Sequence, residues 1–328
     1  MGARLVSAVL RHVCDSIGVA SHVQAEAARA TVASAGAPML ERLAARLGGA
    51  QHTSRPRGTR RVIVVVAADH GAGDPGVSLG LDHPTVIAAQ QIMAGAAALA
   101  HLARTAHTPI VLVDAGTREP RFMPTVAIAL GRGPTHDLAL EPAMTVVDAT
   151  LGLEAGIALA MSLAGSPGDE PLALLVLGAL GLGAEVSSAA LVGALTGSVP
   201  AGLHDPHAEL VAHRGATRPA LSALDALAAF GGAETAVLAG LILGAASINV
   251  PVILDSYATG SAALVAAAFA PTVTGYLVAA HRGSFTMPAI LTHLGLEPVF
   301  EVGLGHGEGA GAAMVLPLVD QVVALAAS

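Results

Sequence analysis

In the stretch Arg61–Asp69, RVIVVVAAD, an unbroken run of β-branched and small apolar residues follows the arginine and ends in a carboxylate. A strand with one wet face alternates polar and apolar positions. A run with no polar residue until its end is buried on both faces, the pattern of a strand inside a parallel sheet. Runs of the same kind recur as TPIVLVDAG at 108–116, LALLVLG at 172–178, VPVILD at 250–255 and GYLVAAH at 275–281. Between them lie alanine-rich helical stretches at 85–105, 187–196 and 233–247. Alternating strands and helices predict an α/β fold, a mainly parallel, Rossmann-like sheet flanked by helices. In such a sheet ligands bind beyond the C-terminal strand ends, where ADHG (68–71), DAGT (114–117), LGALG (177–181) and LDSYATG (254–260) fall.

Upstream of this frame, residues 1–50 carry Leu5, Val6, Val9, Leu10 and Val13 at helical spacing, and RPRGTR at 55–60 is a polar link. No internal repeat and no disordered tract stands out.

The chain has 328 residues, 53% hydrophobic and only 12% charged. Its apolar runs at 235–254 and 259–280 are long enough to span a bilayer, yet each contains a proline and many alanines and glycines. The first reads as a helix, TAVLAGLILGAAS, running into a buried strand, so no membrane association is expected. The N-terminal sequence has no uninterrupted apolar core of signal-peptide length, since Arg11 and Asp15 break it. Cys14 is the single cysteine, which excludes an internal disulfide. The expectation is a soluble, cytoplasmic protein.

Net charge is −8, and all 16 basic residues are arginine. Without lysine there is no Schiff-base amine and no P-loop lysine. With five Phe, two Tyr and no Trp, the chain lacks the aromatic platforms of nucleic-acid binders, and no such partner is expected.

Three stretches are candidates for chemistry. Gly71, Gly73 and Gly76 form a GxGxxG directly after a strand, as in dinucleotide-binding oxidoreductases. Asp74 and Pro75 stand where a phosphate would approach, and the acid expected about twenty residues on is missing. His204, Asp205, His207, Glu209 and His213 cluster in what reads as an exposed loop, without a metal-ligand spacing, so no metal is expected. The third is GLGHGEGAGAA at 303–313, where Glu308 stands among five glycines at the start of an apolar helix. An acid there can serve the helix dipole, but the glycines also leave room for a planar ligand.

The order of several motifs resembles the nicotinate-nucleotide:dimethylbenzimidazole phosphoribosyltransferases of cobalamin biosynthesis. They are AADHG (67–71), GVS (76–78), EPAMT (141–145), GGAETAVLAGLILGAA (231–246), PVILDSYATGSAALVA (251–266), HR (281–282), LGLEP (294–298) and the Glu308 loop. The resemblance implies a homodimer, with a helical part (1–60) packing with the C-terminal helix and an α/β domain at 61–328. It implies transfer of phosphoribose from nicotinate mononucleotide to 5,6-dimethylbenzimidazole, giving an α-ribotide and nicotinate without a cofactor. By the same resemblance Glu308 is the general base and Ser78, Met93 and Leu304 contact the acceptor. Gly178, Gly181, Gly183, Arg214 and Asp255 then bind the nucleotide and its phosphate.

The chain departs from the family pattern on the donor side. Where the family reads G-E-M-G-I-G-N-T-T, the sequence has Ala179 for the glutamate and Ala184, Glu185 and Val186 for N-T-T. GSVPAG at 197–202 stands for G-x-G-T-G, Arg214 is the substitute for a phosphate-binding lysine, and SAGAPML at 34–40 is what remains of P-P-G-S-L-G. Alternatives that follow are another ribosyl donor, a phenolic acceptor, or a non-catalytic subunit of a heterodimer.

Overall fold

The computed structural model describes residues 7–71, 80–118, 124–128, 133–138, 140–166, 168–201, 203, 206–217, 221–283, 285–301, 304 and 307–328. Its strands are β1 (Arg61–Ala68), β2 (Ile110–Gly116), β3 (Val126–Ala127), β4 (Leu174–Leu180), β5 (Val252–Leu254), β6 (Leu277–His281) and β7 (Pro298–Phe300). They form one sheet in the order β3-β2-β1-β4-β5-β6-β7, with every pair parallel. The chain builds outward from β1 through β2 to β3, then crosses to the other side of β1 for β4. The β1/β4 boundary is therefore the point where the winding direction reverses and a crevice opens beyond the strand ends.

The unbroken apolar character of β1 has a direct cause. Val64, Val66 and Ala68 face one buried cluster, while Ile63, Val65 and Ala67 face the other. On the first face lie the helices Val146–Ala164, Ala184–Thr196, Ala233–Ser247 and Tyr257–Phe269. On the second lie His22–Val32, Pro38–Ala50, Pro84–Met93, Ala98–Thr105 and Leu316–Ala327.

The apolar runs at 235–254 and 259–280 resolve, as expected, into helices followed by β5 and β6. The helices Val146–Ala164 and Ala233–Ser247 touch backbone to backbone. A Cβ on Gly240 would lie 2.1 Å from the Leu153 carbonyl oxygen, and one on Gly156 2.0 Å from that of Val237. Only hydrogen fits at either position. Among the described residues three helical stretches are long and apolar enough to cross a membrane, Pro84–Thr105, Val146–Ala164 and Ala310–Ala327.

The N-terminal region is helical as expected, in three pieces, Ala8–Ser16, His22–Val32 and Pro38–Ala50; Leu5 and Val6 lie outside the described residues. Leu10 and Val13 pack on the first face, whereas the other two helices join the C-terminal helix on the second. Arg61 at the head of β1 binds that C-terminal helix through Asp320 at 2.6 Å. The helix expected over 85–105 is two helices, because Gly95 adopts φ +76° between Met93 and Ala98. The stretch around His213, read as a loop, is the helix Pro206–Ala216.

Candidate active site

Beyond β1 and β4 lies a cleft of about 210 Å³ lined by Pro84, Thr85, Ala88, Ala179, Leu180, Gly181, Leu182, Ala184, Tyr257, Ala258, Gly307 and Glu308. It is mostly apolar, and Glu308 is the one carboxylate on its described wall. The walls come from the ends of β4, from the starts of three helices, Pro84–Met93, Ala184–Thr196 and Tyr257–Phe269, and from the glycine loop.

Glu308 is held through its backbone. Gly178 in β4 has no side chain, and a Cβ there would sit 2.4 Å from the Glu308 carbonyl oxygen. Beside it the Ala179 N–H donates to the Gly307 carbonyl at 2.9 Å. On the other side Asp255, at the end of β5, accepts from the Gly309 N–H at 3.1 Å and the Ala312 N–H at 2.7 Å. The loop is thus fastened to two adjacent strands. Gly309 takes φ +100° and caps a one-turn helix, Ala310–Ala313, so Glu308 stands before the cap rather than in a first helical turn. The helix-dipole role is therefore not what places this acid.

Asp255, expected to hold nucleotide, is engaged with the Glu308 loop. Its carboxyl is fully buried, and its oxygens serve the loop that carries Glu308. Burial pushes this carboxyl up to about 7, with the Glu308 charge adding to the shift and the loop N–H groups opposing it. Below the loop, His281 accepts the Gly283 N–H on Nδ1 at 3.0 Å, which leaves its proton on Nε2. A Cβ on Gly311 would lie 2.4 Å from that Nε2. Burial lowers the imidazole pKa, consistent with a neutral ring.

The end of β1 is a second hub. Asp69 accepts from the Thr85 hydroxyl at 2.5 Å, the Leu182 N–H at 3.0 Å and the Arg118 N–H at 2.8 Å. It joins the two strand ends that frame the cleft. Next to it His70 and Glu234 form a buried pair, Nε2 to Oε1 at 3.1 Å. Burial alone would discharge both, but each holds the other charged, raising His70 and lowering Glu234. Glu185 adds to the field on His70 and, after burial, helps raise the Tyr257 phenol, which stays neutral in the cleft wall.

The glycines expected to hold the donor serve close backbone approach. Gly181 has φ +154° and packs on the Ala68 carbonyl, and Gly183, at φ +81°, caps the helix Ala184–Thr196 at the cleft. Arg214 donates to the Leu138 carbonyl at 2.8 Å, tying down the segment that packs against Gly71. Met93 sits, exposed, at the far end of the helix whose first residues line the cleft, and is not among the lining residues. Leu304 is half-buried and not among the lining residues. Ser78 lies outside the described residues.

Of the glycine triplet, Gly73 and Gly76 also lie outside them. A Cβ on Gly71 would sit 2.4 Å from the Thr135 carbonyl oxygen, so this glycine seats backbone, not pyrophosphate. His204, Asp205 and the His207 side chain are outside the described residues, and His213 and Glu209 face each other on an exposed helix 4.0 Å apart. Among the described residues no group of three metal-ligating side chains is found.

Thr85, Tyr257 and Glu234 were not picked out from the sequence. Glu234 carried a usable signal, an isolated acid in an apolar helix, the same one that marked Glu308. Thr85 and Tyr257 carried none.

The parallel α/β sheet thus has a candidate active site at its winding reversal, an apolar cleft where helix N-termini converge and one carboxylate stands on the described wall. A family model described as phosphoribosyltransferase matches residues 16–328. The nicotinate-nucleotide–dimethylbenzimidazole phosphoribosyltransferase of Roseiflexus sp. (strain RS-1) is 36% identical over 298 residues, 85% of this chain and 82% of its own. The enzyme of that name from Salinispora tropica is 36% identical over 319 residues, covering 87% and 85%. The solved structure of the Thermus thermophilus protein of the same name superposes with TM-score 0.79 at 27% identity, covering 98% of this chain and 96% of that one. The chain belongs to the nicotinate-nucleotide–dimethylbenzimidazole phosphoribosyltransferase family.

Proposed function

We propose that the protein transfers the phosphoribosyl group of nicotinate mononucleotide to 5,6-dimethylbenzimidazole or a closely related aromatic base, with Glu308 as general base. The unprotonated ring nitrogen of the acceptor forms the bond to C1′. The bond from C1′ to the pyridinium nitrogen breaks, its electron pair staying on nicotinate, which leaves without needing a proton. The acceptor's other ring nitrogen gives its proton to Glu308. Attack opposite to the leaving group inverts C1′ and yields the α-ribotide.

The observation that carries this reading is the position of Glu308, the described cleft's one carboxylate, between Gly178 and Asp255. In this reading the cleft, whose lining includes Thr85, Ala88, Leu180 and Tyr257, receives the flat acceptor. The donor phosphate belongs at the N-terminus of the helix Ala184–Thr196, whose first N–H groups are unpaired within the helix and carry its positive end. Glu185 in that first turn opposes the phosphate, and the charged His70 within its field offsets part of that opposition. Glu308→Gln is expected to slow nicotinate release by about 10²- to 10⁴-fold, the usual weight of general-base catalysis. Release at the wild-type rate in that variant would remove the mechanism.

In the same reading the protein is a soluble cytoplasmic homodimer. Val147, Leu151 and Met161, all exposed on the helix Val146–Ala164, supply apolar surface for a second copy. Light scattering of the purified chain gives the assembly mass directly.

A further inference from the structure

A second cavity, of about 400 Å³, lies at the other end of the sheet. Its lining includes Leu277 and Val278 at the start of β6, Leu296 and Pro298 leading into β7, and the helices His22–Val32 and Pro38–Ala50. Because the strands are parallel, this is the edge opposite to the one where Glu308 stands. Nothing in the proposed reaction uses it.

Three arginines line this cavity. Arg29 faces Glu26 at 3.6 Å and Arg42 faces Glu297 at 3.4 Å, so each has a carboxylate. Arg46, one helical turn after Arg42, has none within ion-pair distance among the described residues. Its one hydrogen bond there runs from Nη1 to the Thr274 carbonyl at 3.3 Å. A guanidinium has five N–H donors, and a half-buried one with a single long bond is under-satisfied. Burial lowers its pKa, and Glu297 only partly opposes that. The three arginines and two carboxylates leave one positive charge uncompensated over an apolar floor that includes Leu43, Leu277 and Leu296.

We propose that this cavity is a second, non-catalytic ligand site that takes a small aromatic monocarboxylate, its carboxylate on Arg46 and its ring on that floor. A planar carboxylate matches the guanidinium fork in geometry and charge. The volume suits a single ring. Nicotinate, released in the proposed reaction, is one such ligand; that identification rests on the reaction, whereas the site rests on Arg46 and the charge excess of the arginine cluster around it.

The test measures binding without turnover, so it is independent of whether the enzyme is active. Thermal melting and titration calorimetry are run with benzoate and nicotinate, and with nicotinamide as the uncharged control. Both carboxylates are expected to raise the melting temperature at millimolar concentration and nicotinamide is not. The shift is expected to survive in Glu308→Gln, and affinity to fall at least tenfold in Arg46→Gln. Absence of any carboxylate shift, an undiminished shift in Arg46→Gln, or loss of the shift in Glu308→Gln each overturns the proposal. Should Arg46→Gln fail to fold, Arg42→Gln decides: severalfold weaker binding is expected, and unchanged affinity refutes the site.

Discussion

Replacing Gly178 with alanine puts a methyl carbon 2.4 Å from the Glu308 carbonyl oxygen, 2.6 Å from its carbonyl carbon and 2.8 Å from the Gly309 nitrogen. Ordinary contact begins near 3.4 Å, so about 1 Å must be found. All three neighbours are backbone, and no side-chain rotation supplies it. Strand β4 cannot yield, because it is buried along its whole length and paired over seven positions with β1. The loop therefore moves, and Glu308 moves with it. A displacement of about 1 Å of a catalytic group costs roughly 10²-fold in rate, while overpacking of this kind costs about 1–3 kcal/mol of stability. The assay is nicotinate release from nicotinate mononucleotide with 5,6-dimethylbenzimidazole, with thermal melting on the same samples. Gly178→Ala is expected to remain folded and lose about two orders of magnitude in kcat/KM. Gly18→Ala, where a Cβ meets nothing within 4 Å, is expected to match the wild type in both measurements. A folded Gly178→Ala protein with full activity would refute the argument that the backbone seat of Glu308 sets its reactivity.

Other expectations concern stability. Asp255 has its carboxyl raised from 3.8 to about 7, so between those values the folded chain holds a proton that the unfolded chain has lost. Its contribution therefore falls as pH rises from about 4 to 7 and levels off above, by on the order of 4 kcal/mol. Chemical denaturation across that range should show the decline in the wild type and a flatter profile in Asp255→Asn; identical slopes would contradict it. Gly240→Ala drives a Cβ to 2.1 Å from the Leu153 carbonyl oxygen and is expected to lower stability by about 1–3 kcal/mol, read as a melting temperature lower by several degrees. An unchanged melting temperature would mean that the two helices separate freely.

Much of the fold is legible in the chain because burial on both faces leaves a local mark. RVIVVVAAD has no polar position between Arg61 and Asp69, and LALLVLG has none at all, because each of their faces meets helices. VPVILD and GYLVAAH carry the same mark. Boundaries were harder: Gly95 splits one expected helix in two, a conformational choice that hydrophobic spacing does not record. At the site, Glu308 was visible because an acid among glycines is unusual in so apolar a chain. Motif position alone does not record what surrounds Met93 and Asp255. Met93 is more than one turn beyond Ala88, the last residue of its helix that lines the cleft, and Asp255 accepts from the Gly309 and Ala312 N–H groups.

The amino-acid sequence by itself determines the parallel α/β class and marks Glu308, an acid among glycines, as a candidate, since both follow from local pattern. The partners were decided only by tertiary structure. Gly178 meets Glu308 across 130 positions, His70 meets Glu234 across 164, and Asp255 meets Ala312 across 57. Such pairings depend on strand order and on how closely two backbones approach, quantities set by the packing of the whole sheet and carried by no single segment.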